Sequence, residues 1–540
     1  MKKLKLLLAC ILLSATALAQ EIAPGVYWVY FTDKAGGTYQ IDQPGQFLSD
    51  RSVNRRAMQG LAVDPHDIPV NSAYLQEIAA LGVEIIHVSR WLNGVAMVQM
   101  NESLFQQVLA LGYTDTLAWV PETDEGYFPP KSGEPRFELP LESPPGFDYG
   151  IAREQVELVR TNGLHELGYT GKGVWIGVLD AGFFNMDSLP SFVPLYNEGR
   201  LLGERNYVNE SSIYELGSSH GMAVSSIMAG EWDGYLVGTA PHAHYLLCST
   251  EDSDRETRIE EIAWIEAAEY ADSLGVDVLN TSLGYSDFDG PSFDYTYQDM
   301  DGRSTYISRA ASLCASRGMI LCTSAGNSGN DDWYYITAPA DATDVLSVGA
   351  VDSTNVLANF SSRGPSFDAR IKPDVTAMGL RTGVQLWDGG LARGNGTSFS
   401  SPVMAGSVAS LWQAFPDLPS RDLIHMVRQS GHRSMNPDSE YGFGTPNMLR
   451  AYHSITRTPA NMQLGTLEVW PNPASSHIMI RIPETGQHEV RLYDLNGRLA
   501  SSLLVQLPGE MELPGTLPGG IYILEIRTMG NIYRSRLLKQ

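Results

Sequence analysis

Between Gly394 and Pro402 the chain reads Gly-Asn-Gly-Thr-Ser-Phe-Ser-Ser-Pro, with a serine placed between two glycines and the start of a helix. From Ser398 onward Met404, Val408, Leu411, Trp412 and Phe415 recur at helical spacing among small residues, which predicts a buried helix over Ser398 to Phe415. Pro402 is expected in its first turn, where a missing N–H costs little. A hydroxyl at such a start lies among unpaired N–H donors and the positive end of the helix dipole, where developing negative charge is favoured. An N-cap serine over a buried helix gives the same pattern. The chemistry therefore needs a base to take the hydroxyl proton and a carboxylate to orient that base.

Upstream residues supply both types. Val174 to Leu179 is a short apolar run that reads as a buried parallel strand ending in Asp180. Open α/β sheets place their sites at that end of a strand. His220-Gly221 opens a predicted helix of small and apolar residues, His220 to Ala229; of the eleven histidines it alone combines a Gly-rich start with a helix beside a buried strand. Asn327, in Ser324-Ala325-Gly326-Asn327, sits in a Gly-rich loop after a strand and can offer a side-chain N–H to an oxyanion.

In chain order Asp180, His220, Asn327 and Ser398 resemble the motifs of the subtilisin-like serine proteases. They are carried by Val-Leu-Asp-Ala-Gly, Ser-His-Gly-Met-Ala-Val, Thr-Ser-Ala-Gly-Asn-Ser-Gly and Gly-Thr-Ser-Phe-Ser-Ser-Pro, and the resemblance spans residues 147–456. One departure is visible: the family usually has His-Gly-Thr-His-Val-Ala-Gly where this chain has His-Gly-Met-Ala-Val-Ser-Ser. The resemblance implies that Asp180 orients His220, that His220 activates Ser398, and that Asn327 with the Ser398 backbone N–H holds the oxyanion. It implies a substrate-binding edge strand at Ser282, Leu283 and Gly284. That strand and Ser324, Ala325 and Gly326 would wall the primary specificity pocket, with Thr337 at its floor. No acidic residue is placed there, so a strict preference for Lys or Arg is not indicated. Catalysis of this kind requires no cofactor and no catalytic metal; a structural calcium ion is left open, with no position assigned.

The elements that must hold these residues alternate in the manner of a mostly parallel sheet covered on both faces. Strands are predicted at Val174 to Leu179, His244 to Cys248, Val276 to Asn280, Ile320 to Thr323 and Val345 to Val351. Helices are predicted at His220 to Ala229, Arg258 to Leu274, Ser304 to Arg317 and Ser398 to Phe415. The fold expected for residues 147–456 is the subtilisin-like three-layer α/β fold. His242 and His244 sit at a turn entering a strand, where a spacing of two points both rings to one face without further ligands, and no metal is assigned to them.

Other regions differ in character. Residues 1–19 carry Lys2, Lys3 and Lys5, an apolar run from Leu6 to Leu13, and Ala17-Leu18-Ala19, and read as a secretory signal peptide; the apolar core is too short for a membrane anchor. Residues 20–120 alternate as βαββαβ: Gly25 to Phe31, helix Asn71 to Leu81, Val83 to Ser89, Gly94 to Met100, helix Glu102 to Leu111, and Thr116 to Val120. That order suggests a ferredoxin-like α+β layer, and in subtilases such a domain precedes the enzyme, assists its folding and inhibits it. Residues 121–146 form a Pro-rich acidic linker, where proteolytic maturation is expected. After a linker at 457–463, residues 464–540 read as a small all-β sandwich with an Asn496-Gly497 hairpin signal. Trp-Pro-Asn-Pro, Tyr-Asp-Leu-Asn-Gly-Arg and Gly-Gly-Ile-Tyr-Ile in it resemble the sorting domain of the type IX secretion system of Bacteroidetes-type bacteria. This implies export through the periplasm of a Gram-negative cell and outer-membrane secretion machinery as a partner.

Composition agrees with an extracellular globular protein. The formal charge of −25 becomes −28 without the three signal lysines, which argues against nucleic acid and anionic membrane partners. Cys248, Cys314 and Cys322 are odd in number without metal-ligand pairing, and read as buried thiols. Three other classes compete. A lipase-like hydrolase needs Gly-x-Ser-x-Gly and the order Ser–Asp–His, neither of which is present; Asp422 and His425 follow Ser398 but fall within a predicted helix. A degenerate subtilase serving as a surface binding protein would normally have lost a triad member. A purely structural surface protein is the third.

Overall fold

The computed structural model describes residues 20–23, 26–98, 102–115, 146–215, 217–457, 463–464, 467–482, 486–494, 499–515, 517–527 and 531–540. The predicted signal peptide, all but the last residue of the Pro-rich linker, the strand expected over Thr116 to Val120 and the Asn496-Gly497 hairpin lie outside the described residues. The chain forms two compact units, Met1–Ala451 and Tyr452–Gln540.

The first unit opens with strands β1 (Gln20–Ala23) and β2 (Val26–Phe31), helices α1 (Asp50–Met58) and α2 (Ser72–Ala80), strands β3 (Glu84–Ser89) and β4 (Gly94–Val98), helix α3 (Glu102–Leu109) and strand β5 (Thr114–Asp115). The sheet is antiparallel; β2 lies between β4 and β5, and β3 flanks β4, a βαββαβ layer to which β1 is added. The last strand is Thr114–Asp115, two residues ahead of the expected segment. Helix α1 was not predicted. Its N-cap Ser49 accepts from Ser52 N, but the residues it buries are Ser52, Arg55 and Arg56, so no apolar stripe announces it.

Next come α4 (Arg153–Leu158), α5 (Thr161–Glu166), β6 (Trp175–Asp180), α6 (Val193–Asn197), β7 (Leu201–Asn206) and α7 (His220–Ala229). The short β8 (Glu231–Trp232) and β9 (Leu236–Val237) precede β10 (His244–Ser249), α8 (Arg258–Leu274), β11 (Val278–Thr281), α9 (Tyr306–Ser316) and β12 (Ile320–Ser324). The unit ends with β13 (Leu346–Val351), β14 (Val375–Met378), the hairpin β15 (Leu380–Gln385) and β16 (Leu391–Asn395), α10 (Thr397–Ala414), α11 (Ser420–Ser430) and the start of α12 (Met448–Arg457). Seven strands make one parallel sheet in the order β14-β13-β12-β11-β6-β10-β7. From β6 the chain builds toward β7 and β10 on one side and toward β11 on the other. The switch point, and the crevice that goes with it, therefore lies at the carboxyl end of β6.

Alternation along the strands decides which side chains reach that crevice. Leu179, Leu246, Cys248, Leu279 and Leu321 pack with α8 and α9. Their neighbours Asp180 and Asn280 consequently point to the opposite face, toward α7 and α10. Helix α10 is buried throughout Ser400 to Trp412, so its sequence is apolar or small on every side. Gly406 lets it approach β9 and the loop beyond: a Cβ there would lie 2.0 Å from Thr239 Oγ1. Cys248, Cys314 and Cys322 are free and buried, as expected.

The βαββαβ layer packs on α8 and α9 through Trp28, Trp91 and Ala96. Helix α1 reaches the carboxyl ends of those two helices, which are the end of the sheet opposite Asp180. There Arg55 donates to Arg317 O at 3.2 Å and ion-pairs with Asp272, Arg56 reaches Asp272 at 2.8 Å, and Arg90 reaches it at 2.8 Å. Asp272 is fully buried. The last carbonyls and negative dipole end of α8 are thus capped by cations 182 to 217 residues away in sequence.

The second unit holds β17 (Gln463–Leu464), β18 (Glu468–Trp470), β19 (His477–Arg481), β20 (Gly486–Tyr493), β21 (Leu499–Leu507), β22 (Gly509–Glu512), β23 (Gly520–Arg527) and β24 (Asn531–Lys539). A five-stranded sheet, β17-β24-β23-β20-β21, and a three-stranded sheet, β18-β19-β22, enclose a core of Ile478, Ile480, Val490, Leu492, Leu524 and Ile526. This is a two-sheet sandwich.

Candidate active site

Asp180 is the last residue of β6, His220 the first of α7, and Ser398 the second of α10. The His220 ring meets Asp180 through Nδ1, 2.6 Å from Oδ1, while Ala181 N donates to the same oxygen at 2.8 Å. The carboxylate is buried and the ring keeps about a third of its surface open. A glycine after the histidine is required here: a Cβ on Gly221 would lie 2.9 Å from Asp180 Cβ and 2.7 Å from Gly182 O, so a larger residue would push α7 off β6. Burial pulls the His220 pKa down, but the charge and hydrogen bond of Asp180, with Glu251 adding, outweigh it; the net shift is upward from 6.5.

Ser398 is half-buried, and the Phe399 ring after it lies 6.0 Å from the His220 ring, centroid to centroid. Gly394 makes room for that ring, since a Cβ there would be 2.4 Å from Phe399 Cε2. Among the described residues no hydrogen bond joins Ser398 Oγ to His220. Asn327 Oδ1 accepts from Thr397 N at 2.8 Å and Thr397 Oγ1 at 3.0 Å, which turns Nδ2 toward the site as a donor. A Cβ built on Gly396 would lie 3.7 Å from both Asn327 Nδ2 and Ser398 N, so these two N–H groups border one small space. Gly396 has φ +148°, a conformation that favours glycine.

Pro402 corrects an expectation. Helix α10 begins at Thr397, so the proline is its sixth residue and not in the first turn. It cannot donate to the carbonyl four residues back, which is that of Ser398. Ser282 Oγ fills the gap, donating to Ser398 O at 2.8 Å. Ser282 Oγ in turn accepts from Asn280 Nδ2 at 3.0 Å, and Asn280 Oδ1 accepts from Ser401 Oγ at 2.9 Å. This chain locks the carboxyl end of β11 to the first turn of α10. Asn280, Ser401 and Thr397 were missed by the sequence reading; a polar residue at the end of an otherwise apolar strand was the available signal for Asn280.

Ser282, Leu283 and Gly284 are not part of the sheet: they continue beyond β11, whose last paired residue is Thr281. Ser324 Oγ donates to Leu283 O at 3.1 Å and Gly326 N to Thr397 Oγ1 at 3.2 Å, which brings the segments 282–284 and 324–326 together beside α10. Ala325 is fully buried. Thr337 lies between the segments: its Oγ1 is buried without a hydrogen bond, 2.2 Å from a Cβ built on Gly284 and 3.1 Å from one on Gly326. His242 and His244 do not converge. His242 bonds Thr170 Oγ1 at 2.8 Å and Glu231 at 3.2 Å, whereas His244 packs near the Trp175 ring. Asp422 and His425 lie on α11.

The fold and the site together define a doubly wound α/β protein that presents an acid–histidine pair and a helix-start serine at one crevice. Comparison with known families gives the particular one. Residues 171–444, just over half of the chain, match the subtilase family, and the chain belongs to it. Residues 26–131 match the peptidase S8 propeptide domain of Bacteroidota, and residues 468–540 match the secretion system C-terminal sorting domain, which indicates secretion or cell-surface export. Serine protease AprX of Bacillus subtilis is 28% identical over 313 residues, 52% of this chain and 66% of that protein. Subtilisin E of Bacillus subtilis is 30% identical over 277 residues, 50% of this chain and 61% of that protein. The chain thus spans less than two thirds of the length of these curated relatives. Among solved structures, that of the prenylagaramide maturation protease PagA aligns with 54% of this chain and 97% of its own at 24% identity and a TM-score of 0.43.

Proposed function

We propose that this chain is an exported serine endopeptidase, held latent by residues 20–120 and delivered by residues 464–540. The observation that carries the reading is the 2.6 Å contact of Asp180 with His220 at the carboxyl end of β6, in the crevice bordered by Ser398 and Asn327. Ser398 Oγ attacks the peptide carbonyl as His220 Nε2 takes its proton; Asp180 keeps Nδ1 protonated and stabilises the imidazolium. Asn327 Nδ2 and Ser398 N hold the oxyanion. His220 then protonates the leaving amine, and water releases the acyl group by the same steps. The substrate backbone pairs along Ser282 to Gly284, and the residue before the scissile bond enters the pocket floored by Thr337.

Packing of the described βαββαβ layer on α8 and α9 supports a role for residues 20–120 as an inhibitor of the enzyme they precede. The sorting domain supports passage through the periplasm and recognition by outer-membrane machinery. A fluorophosphonate probe tests the peptidase reading: it should label the processed protein and fail on Ser398→Ala, which should also persist as an uncut precursor. An unlabelled wild-type protein would leave the non-catalytic binding protein as the better reading. Fractionating cells that make a form without residues 464–540 tests the export role, with retention in the periplasm expected.

A further inference from the structure

Helices α8 and α9 each end at a left-handed glycine, Gly275 with φ +93° and Gly318 with φ +82°. Their last carbonyls are therefore left without helical partners at the end of the sheet opposite Asp180. Helix α1 lies across both ends: a Cβ on Gly275 would be 2.7 Å from Arg51 Cγ, and one on Gly318 2.7 Å from Gln59 Nε2. Arg51, Arg55 and Gln59 are spaced four apart and share one face of α1. Arg51 donates to Gly275 O at 3.0 Å and Gln59 to Gly318 O at 2.8 Å. Arg51 also pairs with Asp277 and lies 4.3 Å from the centre of the Trp175 ring. The residues that α1 buries are Ser52, Arg55 and Arg56, whereas the sheet of the same layer docks through Trp28, Trp91 and Ala96. The layer thus holds the enzyme by two surfaces of different chemistry.

We propose that the polar one of these surfaces is a second recognition site of the processed enzyme, which anchors protein substrates by a helix carrying arginines one turn apart and does so away from the catalytic crevice. The inference rests on the reading above, in which residues 20–120 leave the enzyme. Their departure strips Asp272 of Arg55, Arg56 and Arg90, its side-chain partners among the described residues. It leaves the Asp277 carboxylate with Trp175 N, at 2.9 Å. Two carboxylates and the carbonyls of two helix ends then face solvent together. A guanidinium group suits that set, because its fixed fork of donors reaches a carboxylate and a carbonyl at once. Arg55 does this in the precursor, bonding Asp272, Val276 O and Arg317 O. An ammonium group, a single point charge, does not span them in the same way.

The socket is also wider than the helix that fills it. Beside α1 a cleft of about 1010 Å³ opens, walled by Met58 and, on the enzyme, by Val174, Trp175, Trp412 and Pro416. A partner helix with apolar residues flanking its arginines would fill that space as well. Position favours a substrate over an inhibitor. Glu260, in the first turn of α8, lines the same cavity as His220, whereas the socket lies at the last turn. The 17 residues of α8, at a rise of about 1.5 Å each, separate the two by about 25 Å. About ten extended residues cover that distance. A protein held here by a helix can therefore lay a neighbouring loop in the crevice, with the second contact made at high effective concentration.

The probe is a capped peptide of residues 47–61, used as such and with Asn54→Glu and Met58→Lys joined as a lactam on the exposed face to hold the helix. Both are titrated by calorimetry into processed enzyme silenced with a fluorophosphonate. Binding is expected, and Arg55→Ala in the probe should weaken it about ten- to a hundredfold, the range of a charge-assisted contact. Asp277→Asn in the enzyme should weaken it about tenfold. The uncut Ser398→Ala precursor, whose own α1 fills the socket, should not bind. In the active enzyme a saturating probe should leave the hydrolysis of a short peptide within about twofold. A protein substrate fused to residues 47–61 through a linker of about fifteen residues should show a KM about tenfold below that of its Arg55→Ala counterpart. No binding of either probe, or competitive inhibition of short-peptide hydrolysis by the probe, would overturn the inference. So would equal KM values for the two fusions. An enzyme that binds the probe but takes no fluorophosphonate label would overturn the peptidase reading and leave the socket standing.

Discussion

Replacing Ser282 by alanine removes the side-chain donor to the Ser398 carbonyl, whose helical partner four residues on is absent because residue 402 is proline. Both side chains are buried, Ser282 at 3% and Pro402 within the solvent-free part of α10, so water does not readily substitute. An unsatisfied buried carbonyl costs about 1–2 kcal/mol. In a domain of this size that is a fall of about 2–8 °C in thermal midpoint. The informative experiment is the double-mutant cycle with Pro402→Ala, run in the Ser398→Ala background so that self-digestion does not intervene. Alanine at 402 restores an N–H aimed at the Ser398 carbonyl, so Ser282→Ala should be nearly silent in that background. The expected coupling is about 1 kcal/mol or more, within the range for residues that share a partner. In the active chain, Ser282→Ala alone should also lower kcat more than it raises KM, since it loosens the turn that carries the nucleophile. Equal losses on Ser282→Ala with proline and with alanine at 402 would refute the argument that the two residues compete for one carbonyl.

Three further outcomes are expected. Asn327→Ala should reduce kcat about 10²–10³-fold with KM little changed, the scale on which a subtilisin loses rate without its own asparagine donor; a loss below about threefold would be too small for an oxyanion donor. His220 must be neutral to act as base, and its pKa is shifted upward, chiefly by Asp180 against the opposing effect of burial. Activity should therefore fall as pH drops through a value above 6.5, and residual activity in Asp180→Asn should show that limb displaced to lower pH, read from kcat/KM profiles. Arg55→Ala or Arg56→Ala in isolated residues 20–120 should weaken inhibition of the processed enzyme in trans by about 10²–10³-fold, because each leaves buried Asp272 short of a cation. Unchanged inhibition constants would show that α1 contributes nothing to docking.

Much of the catalytic region was readable from the chain alone, because its chemistry stands at the ends of strongly patterned elements. Helices His220–Ala229 and Arg258–Leu274 have the bounds that their caps and apolar spacing predicted, and each strand of the sheet that was read from sequence lies within two residues of its segment. The short-range signals that end an element, such as Asp180 after an apolar run or a glycine pair before Ser398, are the signals that mark the site. What tertiary structure decided is what depends on partners distant in sequence. Helix α1 buries arginines instead of an apolar stripe, and a buried arginine is stable only where a folded enzyme already offers Asp272 and the ends of α8 and α9. Pro402 was expected in the first turn, and stands instead as the sixth residue of α10, where the Ser282 hydroxyl, 116 residues away from Ser398, takes over the missing donor. The sequence reading assigned nothing to the loop after β10, which comes to stand beside Asp180 and His220 only because β10 and β11 flank β6 in the sheet. Local pattern determines which elements form and which residues stand at their ends; strand order determines which of those ends meet, and no residue carries that order by itself.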